Sequence, residues 1–196
     1  MTRLDDDNEK TPAEAPNTLI ENALFKSRTI LLTGGIDFKQ ARAVCERLLA
    51  LSAESSDPIL MVISSPGGHV ESGDMIHDMI KFVSAPVKVL GSGWVASAGA
   101  LIYSAAKKEN RYSLPNCRYL LHEPRGGVGG QATDVEIQAR EIIKMRERLN
   151  RIFADATGKS LEQIKKDTDR DFWMSAQEAV DYGLVSKIVR NRSEIV

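Results

Sequence analysis

Four apolar runs recur along the chain at intervals of roughly thirty residues, the length of one strand–helix–strand unit. They begin near residues 30, 59, 87 and 118. Arg28-Thr29-Ile30-Leu31-Leu32 reads as a strand stopped by Gly34-Gly35. After it Asp37 can cap a helix in which Phe38, Ala41, Val44, Cys45, Leu48 and Leu51 recur at helical spacing. Ile59-Leu60-Met61-Val62-Ile63 is apolar throughout, as a strand covered on both faces must be. It runs into Ser65-Pro66-Gly67-Gly68 and then a helix carrying Val70, Ile76, Ile80 and Val83. Val87-Lys88-Val89-Leu90 is the third strand, followed by a helix of small residues from about Ser97, and Arg118-Tyr119-Leu120-Leu121 is the fourth. The units share a rhythm and little sequence. Strands that alternate with helices in this way need right-handed crossovers, so the fold class is α/β with a parallel sheet.

Three capping-box patterns follow. Thr133-Asp134-Val135-Glu136 opens a long amphipathic helix to about Ala156, stopped by Gly158. Ser160-Leu161-Glu162-Gln163 and Ser175-Ala176-Gln177-Glu178 each start a short helix, and a strand over 184–189 closes the fold. This organisation fills residues 19–196 as one domain. Residues 1–18 are polar, with two prolines and five acids against two bases, and are expected to form a flexible tail.

Composition narrows the function. A formal net charge of −1 argues against a nucleic-acid partner, which needs a basic surface. No run approaches the length of a membrane span, and "MTRLDDDNEKTPAEAP" has no apolar core, so the expected address is cytoplasmic with no membrane partner. Cys45 and Cys117 form no CxxC pair and only His69, His77 and His122 could join them, so no metal site is expected and both thiols are read as free.

The chemistry concentrates around Ser97, the one hydroxyl in "GWVASAGALIY" apart from the closing tyrosine. A serine between strand and helix can be a helix cap, a buried hydroxyl or a nucleophile. Beside a helix N-terminus, free backbone N–H groups could stabilise an oxyanion. The G-x-S-x-G elbow of α/β-hydrolases is absent, because Val95 stands where its first glycine would be. A serine nucleophile needs a base. His122 ends the fourth strand, at the edge where parallel sheets place their sites. His69 follows a tight Gly-Gly turn and His77 is read as part of a solvated face beside Asp74 and Asp78. Among the acids, Asp171 precedes Phe172-Trp173-Met174, which should bury the chain and set the carboxylate at the core's margin. The residues thus permit Ser97, His122 and Asp171 as a triad without fixing it.

Five segments, in order over about residues 25–190, resemble the motifs of ClpP, the proteolytic-subunit family of the Clp protease. They are "ISSPGGHVESG", "ASAGA", "RYSLPNCRYLLHEP", "GGQATDVEIQAREI" and "DTDRDFWMSAQEAVDYGLVSKI". The resemblance implies a ClpP/crotonase-like spiral of β-β-α units with a protruding handle helix. It places Ser97 as nucleophile, His122 as general base and Asp171 as orienting acid of a serine endopeptidase. The N–H groups of Gly68 and Ala98 would form the oxyanion hole, and Gly126, Gly127 and Val128 would bind the extended substrate. Asp134 and Arg170 would meet across a ring–ring contact. The implied assembly is a tetradecamer of two stacked heptamers, a homo-oligomer or a mixed barrel with a second ClpP. It degrades unfolded proteins fed by an AAA+ unfoldase ATPase of the Clp type. No cofactor is implied for this chain, which has no nucleotide motif.

The chain departs from the family pattern in places. Ala98 stands for the usual Met, Ser64 for Asn and Ser186 for Asp, Trp94-Val95 replaces a smaller or more polar pair, and the N-terminal segment follows the family's axial loop only loosely. Three alternatives share parts of the pattern. They are a ClpP-like paralogue inactive alone that works in a mixed barrel, a crotonase-type acyl-CoA enzyme, and a membrane-anchored Ser/Lys hydrolase.

Overall fold

The computed structural model describes residues 18–125 and 129–195. The tail expected over 1–18 therefore lies outside it except for Thr18, which opens a helix, and so do the substrate-binding positions Gly126, Gly127 and Val128. The described elements are α1 (Thr18–Lys26), β1 (Thr29–Thr33), α2 (Phe38–Glu54), β2 (Ile59–Ser65), α3 (Val70–Phe82), β3 (Val87–Ala96), α4 (Ala98–Ser104), β4 (Arg111–Ser113), β5 (Arg118–Leu121), α5 (Ala132–Thr157), α6 (Leu161–Thr168), β6 (Phe172–Ser175), α7 (Ala176–Tyr182) and β7 (Lys187–Ile188).

The sheet runs β1-β2-β3-β4-β7, all parallel, with β5 beside the far end of β3 and β6 antiparallel to β5. β3 is long enough to serve two neighbours on one edge. Its first half pairs with β4 from Val89↔Arg111, and its second half turns to β5 from Trp94↔Arg118. The turn is accommodated on the other edge by a register shift between Ile63 and Ser65 of β2. The strand thus delivers its end, Ala96, next to Leu120 of β5.

The core lies between the sheet and α2, α3 and α4. Ala41, Val44, Cys45, Leu48 and Leu51 form the buried stripe of α2, as its helical spacing requires. Every residue of α4 is buried. Tyr103 of α4 and Tyr119 of β5 meet edge-on at 5.3 Å, and the Tyr103 hydroxyl donates to the Tyr112 carbonyl at 2.8 Å. α5 enters this core only at its end: Leu149, Asn150, Phe153 and Thr157 are its buried residues. Before Leu149 no residue of α5 is buried, although Met145 packs against the core from one side; this exposed stretch corresponds to the handle anticipated from the resemblance.

Several local expectations need correction. α5 begins at Ala132 with Gln131 at the cap, and no side chain caps it, so Thr133 lies inside the helix. Ser160 accepts from the Gln163 N–H, but the Gln163 amide turns to Asp167 and leaves the box half made. The box at Ser175 and Glu178 is complete. The closing strand contracts to Lys187–Ile188, because Leu184 and Val185 are buried in the turn that precedes it. β4 and β6 were not expected as strands. His77 is not on a solvated face: it is 5% exposed, with Nδ1 2.9 Å from the exposed Asp78 carboxylate. Cys45 and Cys117 are buried free thiols, and burial pushes each up to about 11.

Candidate active site

Strand register assembles the site. β3 and β5 are parallel and paired at Ala96↔Leu120, so Ser97 follows β3 where Leu121 and then His122 leave β5. The Ser97 N–H donates to the Leu120 carbonyl at 3.0 Å and fixes this offset. β6 is antiparallel to β5 with Leu121↔Phe172 as its last pair, so the next residues out are His122 and Asp171. Three elements thus bring a hydroxyl, an imidazole and a carboxylate to one edge of the sheet.

The imidazole and carboxylate are bonded: His122 Nδ1 lies 2.9 Å from Asp171 Oδ1. An ionised carboxylate only accepts, so Nδ1 carries the proton and Nε2 of the neutral ring is the free basic lone pair. The His122 side chain is 13% exposed and that of Asp171 40%. The hydrogen bond from His122, and after it the Arg125 guanidinium, hold the Asp171 carboxyl below the usual carboxylate range despite an opposing push from burial. The contribution of these contacts to stability is present above the ordinary carboxylate pKa and is lost as the pH falls through the depressed folded value.

Ser97 occupies the cap position of α4 without acting as a cap. Its φ is 55° and ψ −122°, and its hydroxyl makes no capping bond. Only one other non-glycine residue among those described, Arg28, has positive φ. Such backbone costs about 1–3 kcal/mol and persists where the surroundings enforce it. Gly67 is part of that enforcement: a Cβ there would stand 2.6 Å from the Ser97 Cβ. The loop holding Gly67 is clamped from below by Ser65, whose Oγ donates to the Gly34 carbonyl at 2.7 Å and accepts from the Gly67 N–H at 3.0 Å. This buried serine was not singled out from the sequence; its neighbours there are glycines and a proline, which mark a turn but not its anchor.

The resemblance assigns the oxyanion hole to the Gly68 and Ala98 amides, and among the described residues neither donates a backbone hydrogen bond. Gly68 bridges Ile36, but the bridging bonds are Ile36 N–H to Gly67 O and His69 N–H to Ile36 O, so the Gly68 N–H is directed to the other side. Ala98 is the first residue of α4, where the N–H has no partner within the helix. Gly68 sits at φ +153°, and a Cβ would be 2.2 Å from the Ile36 carbonyl oxygen, so only glycine fits.

The other singled-out residues lie apart. Arg170 is exposed and paired with its neighbour Asp169, and Asp134 is exposed at the start of α5, so the chain does not join them to each other. His69 caps α3 by accepting from the Ser72 N–H. Arg125 was missed: its guanidinium donates to Asp171 Oδ1, the same oxygen that His122 uses. Nothing in the spacing of "HEPRGG" signals that contact, which exists only because β6 returns alongside β5.

Fold and site together define an α/β protein with hydrolase-type groups gathered at the carboxyl edge of its sheet. Residues 13–192 match the Clp protease family, and the chain belongs to that family. It is 59% identical over 194 residues to the ATP-dependent Clp protease proteolytic subunit 3 of Rhizobium meliloti, covering 98% of this chain and 100% of the relative. It is also 59% identical over 177 residues to the proteolytic subunit 2 of Pseudomonas aeruginosa, covering 90% of this chain and 88% of that one. Among solved structures, ClpP1 from Listeria monocytogenes aligns with a TM-score of 0.82 at 54% identity, covering 90% of this chain and 99% of that one.

Proposed function

We propose that the protein is a serine endopeptidase subunit of a Clp protease, with Ser97 as nucleophile, His122 as general base and Asp171 as the acid that orients it. The observation that carries this reading is the His122 Nδ1–Asp171 Oδ1 bond, formed where strand register brings Ser97 alongside. In the reaction the Ser97 hydroxyl attacks a peptide carbonyl while His122 Nε2 takes its proton. The carbonyl oxygen becomes an oxyanion received by the Gly68 and Ala98 N–H groups, a pair worth about 10² to 10³ in rate per donor. Collapse breaks the C–N bond, and the imidazolium returns the proton to the leaving amine. Water then repeats the sequence against the acyl-serine and frees the enzyme.

The substrate is an unfolded polypeptide, held in extended form beside Gly126, Gly127 and Val128. Such a site is safe in a cell only when enclosed. The proposed assembly is two heptamers stacked through the α5 handles, with Asp134 and Arg170 at the contact, fed by an AAA+ unfoldase ATPase in the cytoplasm. Two relatives named as proteolytic subunits of an ATP-dependent protease support this reading. A second reading rests on one observation: among the described residues the Ser97 hydroxyl has no hydrogen bond to His122. It is a subunit whose triad closes only in a mixed barrel with a second ClpP.

The test is degradation of a fluorescently labelled unfolded protein by the purified chain, by the chain with a Clp unfoldase and ATP, and by the chain mixed with a second ClpP. Degradation that Ser97→Ala abolishes supports the proposal, and the mixture that restores it separates the two readings. Degradation at the wild-type rate by Ser97→Ala overturns it.

A further inference from the structure

We propose that Arg125 is a positioning residue of the triad: its guanidinium fixes the Asp171 carboxylate on the His122 Nδ1–H. The inference rests on the triad reading above.

Asp171 precedes β6 and its side chain is 40% exposed, so packing alone does not hold its rotamer. Among the described residues its donors are His122 Nδ1 and the Arg125 guanidinium, and both reach Oδ1. Without Arg125 the carboxylate would be held through the imidazole alone, the very group it has to orient. A guanidinium is a rigid planar donor and always charged, which suits it to pinning a carboxylate.

Sharing one oxygen ties the three groups together, since imidazole and guanidinium each lie within a hydrogen-bond length of Oδ1. Glu123 pairs with Arg146 of α5 at 3.3 Å and Arg170 with Asp169 in the turn before β6, and Arg125 is the cation bonded to Asp171 among the described residues. Removing it leaves the carboxylate free to swing off the Nδ1–H, and the ring loses the orientation that the base role needs.

The experiment uses the full chain, alone or with whichever partner gives activity, and compares Arg125→Leu and Arg125→Lys with the wild type. Arg125 is 67% exposed, so neither substitution threatens folding. The first readout is the rate of fluorophosphonate labelling of Ser97. The second is the downfield proton NMR resonance of the His122 Nδ1–H, identified by its loss in a His122→Gln control. Arg125→Leu is expected to lower the labelling rate about fivefold, the size of an exposed charge pair, and to shift or broaden the Nδ1–H resonance, while Arg125→Lys keeps both near the wild type. Equal rates and an unchanged resonance in all three proteins overturn the proposal. So does an equal rate loss in both variants with the resonance unmoved, which marks a merely structural residue. The resonance does not need catalysis: one that changes in a protein whose Ser97 is never labelled keeps the Arg125 link and overturns the serine mechanism instead.

Discussion

Ser97 holds a strained backbone conformation, and the proposed nucleophile role gives that strain a purpose. At φ 55° a non-glycine residue is strained, and no capping bond repays the strain. Ser97→Gly is therefore expected to stabilise the fold by about 1 kcal/mol, since glycine adopts positive φ freely, while abolishing peptidase activity. Thermal unfolding and peptide cleavage of the same sample check both halves, and a lower melting temperature would contradict the strain argument. At this scale the sequence revealed residue types and their order: Ser97, His122 and Asp171 could be nominated because few other side chains suit those roles. It could not reveal the positive φ of Ser97, the Ser65 clamp or the Arg125 contact, since each arises from backbone brought together by strand pairing.

Elements were legible where periodicity ran long. The buried stripe of α2, the apolar β2 and the long α5 all carry patterns that a single strand or helix explains. β4 and β6 have three and four residues, too few for a period to show. β6 is antiparallel, so the thirty-residue rhythm of parallel units did not anticipate it, yet it delivers Asp171. Trp173, expected to be buried, instead lies 36% exposed with the Arg118 guanidinium 4.4 Å from its ring centroid. The handle illustrates how packing is divided within one helix. Phe153 is 2% exposed where α5 meets the core, so Phe153→Ala should cost about 3–5 kcal/mol in a denaturant titration. A loss below 1 kcal/mol would mean that α5 is not anchored there.

Across the whole molecule, the outer part of α5 is the segment least accounted for by a single chain. The helix is 26 residues, about 39 Å long, and has no buried residue before Leu149. Ile137 and Ile143 are 53% and 48% exposed on it. In the proposed barrel these side chains are covered by the opposite ring. Ile143→Glu should then shift the particle from a double ring to a single ring by sedimentation velocity, leaving circular dichroism unchanged. An unaltered sedimentation coefficient would place the ring contact elsewhere. The serine mechanism is tested most directly by intact-mass analysis after fluorophosphonate treatment, in the chain alone and with a second ClpP or an unfoldase present. One adduct per chain is expected, mapped to Ser97 and absent in Ser97→Ala. Adduct formation that persists in Ser97→Ala, or none on the wild type in any of these assemblies while peptides are still cleaved, would contradict it.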